Sequence, residues 1–290
     1  MKTLVMHILF FLATIAASSA WFFSSKAEWS NLKVKFGLNP FDSSYYASLP
    51  RTADEAVKEG FTKISACERR GNFRGNRYIK DGDHAVVVLF DKNGYIAGLQ
   101  AGVADGSKTG LEAGVETDFP FTGIRPPFIQ EDGYSYITAY FVDPSTICET
   151  GRSEREFEES GTGTNLYIQD GNNPETDYNL IPRKEAAIGD TNWTKGKCFP
   201  LMGVHYWYDL SADTDCEKFF PVFLLYHGGK LTGLGWAFIT DQPSERYEHP
   251  SPDVFEKFME VVPTCLRENV TISTMHIYFT SPVSNNCIFN

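Results

Sequence analysis

The sequence predicts an α+β fold, mainly antiparallel β, arranged as two tandem related half-domains stabilised by disulfides. Three observations carry that expectation. Landmarks recur in one order. Val86-Val87-Val88-Leu89-Phe90 runs through a turn ending at Gly94 into Ile96-Ala97-Gly98-Leu99, and Val222-Phe223-Leu224-Leu225-Tyr226 runs through a turn ending at Gly229 into Leu231-Thr232-Gly233-Leu234. An aromatic strand, a proline and a cysteine follow each hairpin: Tyr140, Phe141, Pro144 and Cys148, then Tyr278, Phe279, Pro282 and Cys287. Self-similarity of this kind constrains fold and wiring together. Apolar runs rich in Val, Ile, Phe and Tyr alternate with Gly, Asn and Asp turns, the pattern of hairpins in antiparallel sheet. Six cysteines, an even number, fit a disulfide framework.

Taken in order, residues 1–20 read as a secretory signal. Lys2 supplies the positive end, Leu4 to Ile15 the apolar core, and Ser18 and Ala20 the small residues before a cut after Ala20. That core is shorter than the roughly 20 residues of a membrane span, and no later segment reaches spanning length. Residues 21–50, aromatic and serine-rich, are expected as an extended N-terminal lead-in. Residues 51–150 are the first β-rich repeat. Thr52 with Glu55 three residues on makes a capping box for a short helix that Gly60 ends, and strands are expected over 85–90, 95–103 and 134–142. The stretch 151–195, with Glu154, Glu156, Glu158 and Glu159, is expected as a polar connection holding one strand over 164–168. Residues 196–290 are the second β-rich repeat, with strands over 203–208, 221–227, 230–239 and 270–280. Ser251 and Pro252 open a helix there, with Val254, Phe255, Phe258, Met259 and Val262 on one face and Pro263 as its stop.

The repeat selects the disulfides. Cys67 and Cys198 hold one equivalent position, Cys148 and Cys287 the other, so the expected bonds are Cys67–Cys148 and Cys198–Cys287, spanning 81 and 89 residues. Cys216–Cys265 remains, and the first half has no cysteine opposite either member, as expected of a bond present in one copy only. Local pairing, Cys198–Cys216 with Cys265–Cys287, is the alternative. No C-x-x-C spacing occurs, so the cysteines do not suggest a metal site.

The net charge of −11 becomes −12 when Lys2 leaves with the signal. An acidic chain is a poor match for nucleic acid or anionic membranes, which reward Lys and Arg. Asn192-Trp193-Thr194 and Asn269-Val270-Thr271 are acceptors for N-glycans in a secreted chain. Residues with chemistry to offer are few. His205 shares a strand face with Trp207, and His276 with Tyr278; joined by His249 they make three imidazoles with an open fourth position, a set for zinc or copper. Thr138 stands opposite His276 in the first half, so the shared fold does not demand that histidine. Arg69, Arg70, Arg74 and Arg77, interleaved with Gly and aromatics, form a local cationic patch suited to sulfate, phosphate or carboxylate. Tyr206 and Trp207 offer a stacking surface for sugar or an apolar ligand if exposed, and core if buried. Asp170 to Asp177 clusters oxygens of the kind calcium prefers, in a composition equally suited to a turn.

No motif fixes a reaction. There is no H-E-x-x-H spacing and no G-x-S-x-G elbow, and pairing claims every thiol. The expected function is that of a secreted, disulfide-bonded glycoprotein acting by binding: an extracellular protein, a glycan or a small apolar ligand, with no nucleic acid, no transmembrane segment and no cofactor required by the sequence. The alternatives are a secreted metal-dependent enzyme using the second-half histidines, and a structural or effector protein of matrix or toxin type.

Overall fold

A computed structural model describes residues 27–37, 39–111, 117–121, 128–267 and 270–287. The signal segment with its cut after Ala20, and the acceptor Asn269, lie outside the described residues. The fold is mostly antiparallel sheet with few, short helices, closed by the disulfides Cys67–Cys148, Cys198–Cys287 and Cys216–Cys265.

The chain begins with two short strands, β1 (Lys33–Lys35) and β2 (Tyr46–Ser48). Helix α1 (Ala53–Lys58) follows, its first turn closed by Thr52 and Glu55 capping each other. Then come β3 (Phe61–Ser65), β4 (Asn76–Lys80), β5 (Asp83–Phe90), β6 (Ile96–Ala104), β7 (Ile129–Glu131) and β8 (Tyr134–Tyr140). Two helices, α2 (Pro144–Ile147) and α3 (Glu154–Ser160), lead to β9 (Leu166–Gln169) and β10 (Tyr178–Ile181). The second half runs β11 (Trp193–Phe199), β12 (Gly203–Tyr208), β13 (Val222–His227), β14 (Lys230–Phe238) and β15 (Ser273–Tyr278).

These strands make two sheets. One has the order β3-β4-β5-β6-β8-β9-β10 with β7 against β8; the other has β11-β12-β13-β14-β15-β1-β2. Period-2 burial joins them. Val86, Val88 and Phe90 of β5 enter a core shared by both sheets, while Val87 and Leu89 turn to the opposite face. Leu224, Leu234 and Ile277 enter the shared core from the other side. Each such side chain contributes about 1.5–3 kcal/mol by leaving water. Phe141 meets Phe279 edge-on with centroids 5.0 Å apart, and Trp29 stacks on Phe279 at 4.2 Å.

Pairing registers run in parallel through the two sheets. Leu89 pairs with Gly98, and Gly98 with Tyr140; Leu225 pairs with Gly233, and Gly233 with Tyr278. An irregularity follows both Leu89 and Leu225. One strand further out, Tyr140 pairs with Tyr167 and Tyr278 with Lys33. So β1 and β2 hold in the second sheet the place that β9 and β10 hold in the first. The polar stretch 151–195 supplies strands to the first sheet, and the lead-in 21–50 supplies strands to the second.

The helix expected after Ser251 is instead a short 3-10 helix, Pro252–Lys257. The carbonyl of Phe258 accepts from Lys197 N at 2.9 Å and from Trp207 Nε1 at 3.3 Å, so β11 and β12 take the acceptor that a further helical turn would use. Among the described residues no helix is long and apolar enough to cross a membrane.

Candidate functional site

The outward face of the second sheet carries a row of side chains set by register. Lys35 on β1 pairs with His276 on β15, and His276 pairs with Gly235 on β14. Gly235 pairs with Phe223, and Phe223 with Trp207. Opposed residues share a face, so all five point away from the inter-sheet core. His205 sits in the adjoining row, opposite Leu225. A Cβ on Gly235 would overlap the Phe223 ring, so glycine is what lets that ring rest on the strand. The segment 250–266 covers the row, and Cys216–Cys265 ties this cover to the connection between β12 and β13. Between row and cover lies a cavity of about 40 Å³, lined by Met202, His205, Phe223, Phe258, Met259 and His276 among others.

Charge in this interior is networked. Lys35 Nζ donates to Glu248 Oε1 at 2.5 Å and also to the carbonyl of Gly37. The Lys35 and Glu248 side chains are 0% and 3% exposed. Glu248 Oε2 lies 3.4 Å from His276 Nδ1, a contact whose alignment falls short of a hydrogen bond. His276 Nε2 lies 3.4 Å from His205 Nε2, and His205 Nδ1 lies 3.3 Å from the carbonyl of Lys197. Burial pushes Glu248 up, but its neighbours His276 and Lys35 outweigh burial and hold it below its usual value. Burial pushes Lys35 down against the pull of Glu248. Burial, then the neighbouring His276, push His205 down to about 3. A buried ion pair of this kind is weak evidence for added stability, but loss of either partner strands a charge.

The structure brings His205 and His276 together and leaves His249 apart. His249 Nε2 is 3.1 Å from Ser273 Oγ and 3.3 Å from Asp241 Oδ1, with its side chain 41% exposed. Ser273 and His276 are three residues apart on one strand and so face opposite ways. Among the described residues no group of three or more His, Cys, Asp or Glu side chains is placed to hold a metal ion.

The four arginines do not form one exposed patch. Arg69 and Arg70 are exposed, with Arg69 paired to Glu149 at 2.7 Å. Arg74 and Arg77 are buried and paired to Glu175 and Glu131. Arg77 matches His205 in register, since each opposes the equivalent leucine. It lies over the rings of Phe73 and Tyr136 and donates to Gln100, which donates on to Thr138. Both sheets therefore bury polar groups at matching outward positions with different chemistry. Tyr206 and Trp207 are core: Tyr206 faces Tyr226 and donates to Glu185, and Trp207 donates to the Phe258 carbonyl. Asp177 closes the Asp170–Asp177 loop on itself by accepting from Asn173 N and Thr176 Oγ1. Asn192 is exposed where β11, an edge strand, begins.

Sequence reasoning missed Lys35 and Glu248. Lys33-Val34-Lys35 lies in the stretch expected as an extended lead-in, and nothing local says that β1 docks beside His276. Glu248 stands next to His249 in the chain, and that adjacency was the one available signal.

Fold and site together define a two-sheet antiparallel β protein, cross-linked by disulfides, with a buried charged row under an aromatic cover. No protein family, curated protein or solved structure matches the chain.

Proposed function

We propose that the chain is a secreted, disulfide-bonded glycoprotein that acts by binding, and that it consists of two related half-domains from one duplicated module. The matching strand orders and registers support the duplication, and the exposed Asn192 just before an edge strand supports a glycan that shields that edge. One observation carries the binding function. A groove of about 220 Å³ beside β1 and β2 is walled by Pro40, Phe41, Tyr46, Pro282 and Val283, with Lys33 on its wall. Phe41 and Val283 are 71% and 76% exposed, unusual for large apolar side chains placed together. Lys33 makes no ion pair among the described residues. An apolar wall with one free cation suits a small amphiphile that has an apolar body and an anionic end.

Anilinonaphthalene sulfonate has that chemistry and serves as the probe. Saturable one-to-one binding is expected, lost in Phe41→Asp and Val283→Asp and weakened in Lys33→Ser, with near-ultraviolet circular dichroism unchanged. Fluorescence that does not saturate, or that ignores all three substitutions, would count against the groove. A metal-dependent enzyme is the second reading, favoured by the convergence of His205 and His276.

A further inference from the structure

We propose that His205 and His276 form a buried two-imidazole site for copper(I), seated in the small cavity beneath the 250–266 cover. Their Nε2 atoms face each other across 3.4 Å. That is long for a hydrogen bond. It matches the edge of a tetrahedron around a metal bonded to nitrogen at about 2.0–2.1 Å, which is about 3.3–3.4 Å.

The remaining nitrogens are arranged as metal-bound histidines require. His276 Nδ1 faces Glu248 at 3.4 Å, and His205 Nδ1 faces the Lys197 carbonyl at 3.3 Å. The Lys197 carbonyl favours the proton of His205 on Nδ1, the Glu248 carboxylate draws that of His276 to Nδ1 by charge alone, and in those tautomers both Nε2 lone pairs aim at one point. Two lone pairs meeting in a sealed interior repel unless a cation lies between them.

The surroundings choose which cation. All six cysteines are in disulfides, and Glu248 already serves Lys35 and faces His276 Nδ1. The Thr274 hydroxyl on the cavity wall donates to Glu248 Oε2 at 3.5 Å, and the other donors there are the thioethers of Met202 and Met259. Thioether sulfur with imidazole is a soft set that selects copper(I). Lys35 and Glu248 cancel, so the cavity offers the ion no net negative charge. The cost of burying an ion rises with the square of its charge, which disfavours a divalent ion about fourfold over a monovalent one. The cavity of about 40 Å³ has room for an ion.

The test uses the full secreted protein, anaerobic and with ascorbate, competing with bicinchoninate for copper(I). One equivalent per chain is expected to move to the protein. X-ray absorption should then show nitrogen at about 2.0 Å and sulfur at about 2.3 Å. His205→Gln and His276→Gln should each lower retention at least tenfold. Met259→Leu keeps both imidazoles and the core volume, and should remove a sulfur shell while leaving the nitrogen shell. Because a histidine variant can misfold, nitrogen-15 NMR of the unmodified protein supplies a second readout, with the Nε2 resonances of His205 and His276 shifting on loading. Copper(I) left with the competitor would overturn the site. So would retention in either histidine variant as high as in the unmodified protein, zinc(II) bound in preference at these nitrogens, or a single proton shared between the rings with no metal taken up.

Discussion

His205 enters a place where a charged imidazole cannot be solvated. Its ring is 1% exposed, and burial with the neighbouring His276 takes its pKa from 6.5 to about 3. An unfolded chain binds that proton near pH 6.5, whereas the folded chain refuses it until about 3. The unfolded state therefore holds more protons across that window, so stability rises with pH there and is lost as pH falls. At 1.36 kcal/mol per unit, the loss is on the order of 5 kcal/mol, most of it reached by pH 4. Glu248 acts in the same direction: its pKa is depressed, so its contribution is complete above the ordinary carboxylate range and disappears as pH falls through the folded value. Urea unfolding of metal-free protein between pH 7 and 4 should show a steady fall in stability, with a shallower slope in His205→Gln. A flat profile over that range would refute the buried neutral imidazole. At this scale part of the site was legible. The shared faces of His205 with Trp207 and of His276 with Tyr278 were legible from period-2 alternation. Lys35 and Glu248 were not, because their burial depends on which distant strand lies alongside.

At the scale of elements, long strands with strong alternation were readable and short ones were not. The hairpins β5-β6 and β13-β14 announce themselves through apolar runs and glycine turns. β1, β2 and β10 are three or four residues long, with partly exposed faces, and look like loop. β4 conceals itself differently, since Arg77 sits buried in it on aromatic rings. The capping box at Thr52 gave a real helix start. Ser251 and Pro252 gave only a short 3-10 helix, because neighbouring strands claim the Phe258 carbonyl. That helix belongs to the cover over the charged row, and Cys216–Cys265 closes 49 residues around it. A loop of that length is worth about 4 kcal/mol in the chain-entropy account, less any strain. Cys216→Ser with Cys265→Ser should therefore lower the melting temperature. It should also speed amide exchange in residues 252–259 and 264–266, leaving β4, β5, β6 and β8 as slow as before. Equal acceleration in both sheets would show that this bond holds the whole fold and not the cover.

For the whole molecule, two sheets of like strand order pack over one core, and each carries a disulfide that begins near its first edge and ends after its aromatic strand. Cys67 follows β3 and bonds Cys148 just beyond α2; Cys198 lies in β11 and bonds Cys287 beyond β15. Two of the three bonds join the residues that the internal similarity paired, and Cys216–Cys265 is the pair it left over. What the internal similarity did not disclose is that β1 and β2, far upstream, complete the second sheet. Chain order alone places them beside the first. Covalent closure of each sheet upon itself is the claim on which this architecture turns. Protease digestion of the protein without reduction, followed by mass spectrometry of the linked peptides, measures it directly. The expected linked pairs are Cys67 with Cys148, Cys198 with Cys287, and Cys216 with Cys265. A peptide joining Cys198 to Cys216, or either Cys67 or Cys148 to a cysteine of the second half, would contradict it.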